Sequence, residues 1–225
     1  MKRNLFIVLF GIFVHSTTFA QNNNIRGLWQ RMPDSLFVYL PMSARENQLS
    51  INEMNVGSVV NYNLEGSGVI NHISDNYLSI KMNDCLDVQL KLLTSPTSGV
   101  QGVTASSSDS VICMVRTYKS PDGESEVTFY STDWQPIHSN FGLPLDTDFD
   151  QLLKSFIARP AAMSQERFDE LLQHIDLVML LAWWDNDYLM FTVSVPMLTK
   201  EETEEFKPLI LQKKFKWTGD TFKEC

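Results

Sequence analysis

The densest group of side chains able to hold a ligand is Trp183-Trp184-Asp185-Asn186-Asp187-Tyr188. Aromatic faces beside carboxylates and an amide can hold a sugar ring, by stacking and by hydrogen bonds. The same residues also make an ordinary hairpin, because large aromatics favour strands and Asp-Asn-Asp favours a turn. Asp133-Trp134 is a second aromatic–acid pair, placed just before Pro136, which stops a strand. It reads either as an exposed contact or as a tryptophan packed at the edge of the core. The ligand-binding candidates are therefore Trp183, Trp184, Asp185, Asp187, Tyr188, Asp133 and Trp134.

The sequence carries no strong catalytic motif. It has no GxSxG nucleophile elbow, no HExxH pair and no GxxxxGK[ST] phosphate loop. Ser67 lies between two glycines but lacks the surrounding strand-to-helix pattern. His72, His138 and His174 are far apart and show no metal-ligand spacing. Asp146, Asp148 and Asp150 invite a calcium reading, yet Gln151 stands where an EF-hand needs glycine and Ile157 where it needs glutamate. Acids at a helix N-terminus explain that run without metal. No catalytic residue, metal or cofactor is assigned. A glycosidase-type pair of carboxylates drawn from distant segments would leave no trace in spacing, so a hydrolase is the alternative to a binding module.

The remaining features concern place and build. The chain has 225 residues and a formal charge of −9, with 44% apolar residues. That is apolar enough for a packed core and argues against disorder. The acidity argues against nucleic-acid binding, which needs a basic face. Lys2 and Arg3 precede an apolar stretch, Leu5 to Val14, and then Thr18-Phe19-Ala20. This is the pattern of a cleaved export signal over residues 1–20, too short to span a bilayer. Its removal would leave 205 residues at −11. The expected location is periplasmic or extracellular. In an oxidising compartment Cys85 and Cys113 could bridge two strands. The favoured alternative is two unbonded small hydrophobes. Cys225 is unpaired by count.

Periodicity supplies the elements that must position these residues. Gln21–Asn24 reads as a polar leader with nothing to pack. Pro33 to Leu40 reads as a short helix ended by Pro41, and the Ser43/Glu46 spacing starts a second helix running to about Asn55. Alternation then predicts strands around Leu78–Met82 and Val88–Leu92, and a hairpin within Val59–Ile73 turning at Gly66-Ser67-Gly68. Thr94 to Asp109, rich in Ser, Thr and Gly, reads as a long mobile loop. Val111–Tyr118 and Glu126–Thr132 flank a Pro121-Asp122-Gly123 turn. Helices follow at Asp146 or Asp148 and at Ser164, then the hairpin Leu177–Val195, and then a Thr199/Glu202 capping box. In the last strand Leu211, Phe215 and Trp217 point one way, with Lys213 as a polar exception. Gln212, Lys214 and Lys216 point the other. The expected fold is α+β, mainly antiparallel sheet with helices packed on one face. It divides into αβ units at 21–137 and 138–225, which are similar halves or parts of one domain.

Met32-Pro33-Asp34-Ser35-Leu36, Tyr77-Leu78-Ser79-Ile80-Lys81, Val111-Ile112-Cys113 and Phe129 through Pro136 resemble an exported-protein family of Bacteroidetes bacteria, a domain of unknown function. The resemblance covers most of the chain beyond the signal and implies an envelope location. It implies no activity, cofactor or catalytic residue. The sequence therefore points to an exported envelope protein acting as a binding or interaction module. Its partner would be an envelope protein or a glycan, with no nucleic acid and no membrane span after signal cleavage.

Overall fold

In a computed structural model the described residues are 24–38, 40–54, 59–60, 67–94, 110–119, 122–145 and 147–225. Residues 1–20, read above as an export signal, the polar residues 21–23, Gly57, Pro121, Asp146 and most of the Ser/Gly-rich segment (95–109) lie outside them.

The chain enters through a helix that periodicity missed, α1 (Ile25–Arg31). Asn24 is its cap: the side-chain oxygen accepts from the Gly27 amide at 2.9 Å. Ile25, Leu28 and Trp29 are buried on it. The expected helix over Pro33–Leu40 is absent, and those described residues form turns. Arg45 explains the difference. It is fully buried, and its guanidinium donates to the carbonyls of Met32, Leu40 and Gln30 and to the Asp34 carboxylate. With the Met32 carbonyl drawn onto this cation, the Leu36 amide bonds Pro33 at i+3 instead of Met32 at i+4. The second helix, α2 (Met42–Met54), begins directly after Pro41, whose carbonyl accepts from the amides of Ala44 and Arg45.

Seven strands follow: β1 (Val59–Val60), β2 (Ser67–Ile73), β3 (Tyr77–Lys81), β4 (Leu86–Thr94), β5 (Ser110–Tyr118), β6 (Glu124–Ser131) and β7 (Pro136–Ile137). They pair antiparallel in chain order as one meander. Val60 pairs with Ser67, so Ser67 and Gly68 are strand residues rather than the expected turn. Gly68 is required there, since a Cβ would stand 2.6 Å from Nε2 of Gln48 on α2. Period-two alternation sorts the sheet into two faces. Leu78, Ile80, Val88, Leu90, Ile112, Met114 and Tyr130 pack beneath α1 and α2. Leu93, Cys113, Val115 and Phe129 face a second sheet.

That second sheet is built from β8 (Met179–Asp185), β9 (Tyr188–Ser194), β10 (Lys213–Trp217) and β11 (Phe222–Glu224), in the order β11-β10-β9-β8. Helices α3 (Phe149–Phe156) and α4 (Gln165–Leu172) precede it. Between β9 and β10 come α5 (Lys200–Phe206) and a 3-10 turn at Lys207–Leu209. Three predicted caps are present: Asp148 on α3, Ser164 on α4 and the full Thr199/Glu202 box on α5. Ser43, expected to start the second helix, instead lies inside α2. Phe156, Leu171, Phe206 and Leu209 join Ala182, Trp184, Leu189, Phe191, Val193, Phe215 and Phe222 in the core between the sheets. The α+β, mainly antiparallel architecture is as expected.

Cys85 and Cys113 are not bonded to each other. The Cys85 carbonyl accepts from Lys119, six residues along β5 from Cys113, which is about 20 Å at the usual strand rise. Cys113 is buried as expected of a small hydrophobe, but Cys85 is exposed. Among the described residues no helix is long and apolar enough to cross a membrane.

Candidate outer-face site on the second sheet

The β8–β9 hairpin turns over Asn186 and Asp187, with Asp185 paired to Tyr188. Asn186 takes φ 54°, a left-handed conformation that asparagine tolerates better than most residues. Its amide Nδ2 donates to Asp185 at 2.9 Å. Strand alternation then divides the aromatic cluster between two surfaces.

Trp184 goes inward and is 5% exposed. Its backbone amide donates to the Gln89 side chain of β4 at 2.7 Å. Its indole N–H is buried with no hydrogen-bond partner among the described residues, and the sulfur of Cys113, a weak acceptor, lies beside it. Burial pushes the Cys113 thiol up, well outside its ordinary range. Lys91 completes the weld. Its Nζ donates to the Asn186 carbonyl and to Asp187, each at 3.1 Å, and lies 5.7 Å from the Tyr77 ring centre and 5.8 Å from that of Trp184. Asp187 thus holds a lysine of the first sheet. Two shallow clefts of about 300 and 430 Å³ share Asn76, Lys91 and Asp187 beside this joint.

Trp183, Asp185, Tyr188 and Met190 point outward. Register extends this face across β10 and β11. Trp183 is opposite Met190 and Met190 opposite Lys214, while Asp185, Tyr188, Lys216 and Lys223 form the adjoining row. Trp183, Tyr188 and Met190 are half-buried, and Asp185 and the three lysines are exposed. The Nζ of Lys214 and of Lys216 lie 5.1 and 5.8 Å from the Tyr188 ring centre. The other end of this face is covered. Ser194 donates to the Gly123 carbonyl at 2.8 Å, and a Cβ on Gly123 would lie 3.1 Å from Leu181. The turn between β5 and β6 therefore caps one end and leaves the end with Trp183 and Tyr188 open.

Among the described residues Lys81, Lys91, Lys119, Lys207 and Lys213 each have a carboxylate partner, whereas Lys154, Lys200, Lys214, Lys216 and Lys223 have none. The last three stand together on this face, in two adjoining rows. Three unneutralised cations so grouped, on a chain of charge −9, make a local positive field beside a half-exposed indole. Such a surface can hold a ring by stacking and an anion by charge-assisted bonds.

The second candidate pair does not join this site. Trp134 is 5% exposed beneath α1, and its indole N–H donates to the Leu28 carbonyl at 3.0 Å. It adopts φ 60°, a left-handed conformation, at the turn between β6 and β7. It is the packed tryptophan of the two readings, and only Asp133 is exposed. The acidic run at α3 likewise has a structural use, since Asp148 accepts from the Gln151 amide at 2.9 Å. Among the described residues no group of three or more His, Cys, Asp or Glu is placed to hold a metal. Sequence reading saw Lys214 and Lys216 on one strand face. It had no means of placing that face beside Trp183, because strand order is a tertiary property.

A structure of a domain of an uncharacterized protein from Porphyromonas gingivalis W83 is similar to this chain, with a TM-score of 0.64 and 16% identity. The similarity covers 89% of this chain and 96% of that one. At that identity it speaks for the fold alone. No curated protein matches the chain. A family model matches residues 17–222, nearly the whole chain, and the chain therefore belongs to DUF3256, a family described as a protein of unknown function.

Proposed function

We propose that this chain is an exported envelope protein that acts as a non-catalytic binding module, with the outer face of the second sheet as its recognition surface. The ligand class this surface suits is an acidic glycan. The observation that carries the reading is the convergence of Trp183 with Lys214 in its own row and with Lys216 and Lys223 in the adjoining one, at the open end of the sheet. Trp183 offers a flat apolar face for a sugar ring. Tyr188 is held under two ammonium groups, so it orients the lysines rather than stacking on the ligand. The lysines supply bonds to a uronate or phosphate carried by the sugar. The export pattern at residues 1–20 supports the envelope location, where such polymers occur.

The test is an array of neutral and acidic oligosaccharides probed with the purified protein. Acidic glycans should be retained and neutral ones not, with retention falling as salt rises. Lys214→Gln with Lys216→Gln should weaken retention about tenfold or more, and Trp183→Ala by a smaller factor. The reading fails if no glycan is retained, or if an acidic protein ligand alone binds. It also fails if glycan retention survives all three substitutions.

A further inference from the structure

A larger cleft than those beside Lys91, about 740 Å³, runs along β6. Glu124, Ser125, Glu126, Val127, Thr128, Phe129 and Tyr130 all line it. Successive strand residues point to opposite faces, so seven in a row can line one groove only if it runs along the strand's edge. That edge is open over most of its length. β5 pairs with β6 from Ser131 back to Glu124, whereas β7 reaches only Phe129 and Tyr130 on the other side. Among the described residues, the main chain of Glu124–Thr128 makes no backbone hydrogen bond beyond its ladder with β5. An uncovered row of amides and carbonyls is a template for one more strand. The Thr128 hydroxyl is also buried in this wall without a partner.

We infer that the β6 groove is a docking site for an extended segment of a partner polypeptide, which adds as a strand to Glu124–Thr128. Five strand residues give about 16 Å of edge, room for four or five ladder positions. The two walls fix the chemistry of the segment. On the side of Ser125 and Val127 the groove is closed by Leu180 and Leu145, which also pack on the core between the sheets. Alternate residues of the incoming strand facing this side are therefore apolar. On the opposite side stand Glu124 and Glu126. Glu126 shares Arg116, and Glu124 has no ion pair among the described residues. Residues facing this side are basic by charge complementarity, which also suits a chain of charge −9. Main-chain bonds supply affinity and the alternation supplies selectivity. This site is separate from the outer-face lysines, and either can fail without the other.

The probe is a labelled peptide of about nine residues alternating lysine and valine. Two controls accompany it: the same peptide N-methylated through its centre, and one with glutamate for lysine. The lysine–valine peptide should bind the full chain, and hydrogen exchange should slow at amides within Glu124–Thr128. Both controls should bind about tenfold more weakly or worse. Glu124→Lys should weaken the lysine peptide and strengthen the glutamate peptide, a reversal that misfolding cannot produce. Equal binding of the N-methylated peptide would overturn the proposal, since no strand is then added. So would protection confined to other strands, or no binding up to about 1 mM.

Discussion

Trp183 and Trp184 are neighbours in sequence and lie in different environments. One strand carries both, and the period of two sends Trp184 into the core between the sheets and leaves Trp183 half-exposed. The inner face is apolar and tied to the first sheet by Lys91 and Gln89 near the hairpin tip and by Ser125, which donates to the Ala182 carbonyl, further along. The outer face is aromatic and cationic with nothing over its open end among the described residues. The lesson is that residue type did not decide role here. Burial depends on which side of the strand is backed by another layer. A cluster that reads as one candidate site is therefore half structure and half surface.

The contrast gives its largest effect in stability. Trp184→Ala removes an indole from a dry core and should cost about 3–5 kcal/mol. Trp183→Ala, on the open face, should cost under about 1 kcal/mol. Urea unfolding of the two variants measures both. Comparable losses would mean that the outer face is covered after all. Lys91→Ala comes next, at about 1–3 kcal/mol, because its stem packs between Tyr77 and Trp184 and its loss frees the hairpin tip. Asp187→Ala should cost less, about 0.2–1 kcal/mol, since that carboxylate is 76% exposed. The order of these two separates packing of the lysine stem from its charge.

A chemical probe sharpens the same boundary without mutation. Cys113 stands on the inner side beside Trp184, with burial disfavouring its thiolate, while Cys85 and Cys225 are exposed. Under native, reducing-agent-free conditions a thiol reagent should label two cysteines promptly and the third only on unfolding. Rapid labelling of all three would show that the space between the sheets opens readily.

Much of this architecture could be read from the chain. The caps at Asp148, Ser164 and Thr199 are local hydrogen-bond devices, so spacing alone locates them. β3 shows clean alternation, whereas β5, backed by a layer on each face, reads as a continuous apolar run through Val115. What failed was whatever depended on distant partners. The turns at Pro33–Leu40 are bracketed by Arg45, on the next helix, which takes the Met32 carbonyl before them and the Leu40 carbonyl at their end. The helix at Ile25 is too short for a periodic signal, and Asn24 alone announced it. Trp134 stays open between an exposed and a packed reading until α1 is laid over it. The outer-face site needed the order β11-β10-β9-β8, which places Lys223 and Lys216 in line with Tyr188.

The smallest effect expected is in the acid response of the helices that close the inner face. Phe206 on α5 is part of that core, and the start of α5 is fixed by the Thr199/Glu202 box. The Thr199 amide, the His174 side chain and the Thr199 hydroxyl side of the box hold the Glu202 carboxylate at about 2, down from 4.5. A depressed carboxylate pKa means that the folded state binds the proton less readily than the unfolded chain. Its contribution is therefore fully present above 4.5 and is lost as the pH falls towards 2. The group is solvent-exposed, so the loss should be a slight downward shift of the unfolding midpoint across that window. Glu202→Gln should flatten that part of the profile while leaving stability near neutrality only slightly reduced. If Glu202→Gln left the acid limb unchanged, other carboxylates would control it, and the capping box would hold only the helix end.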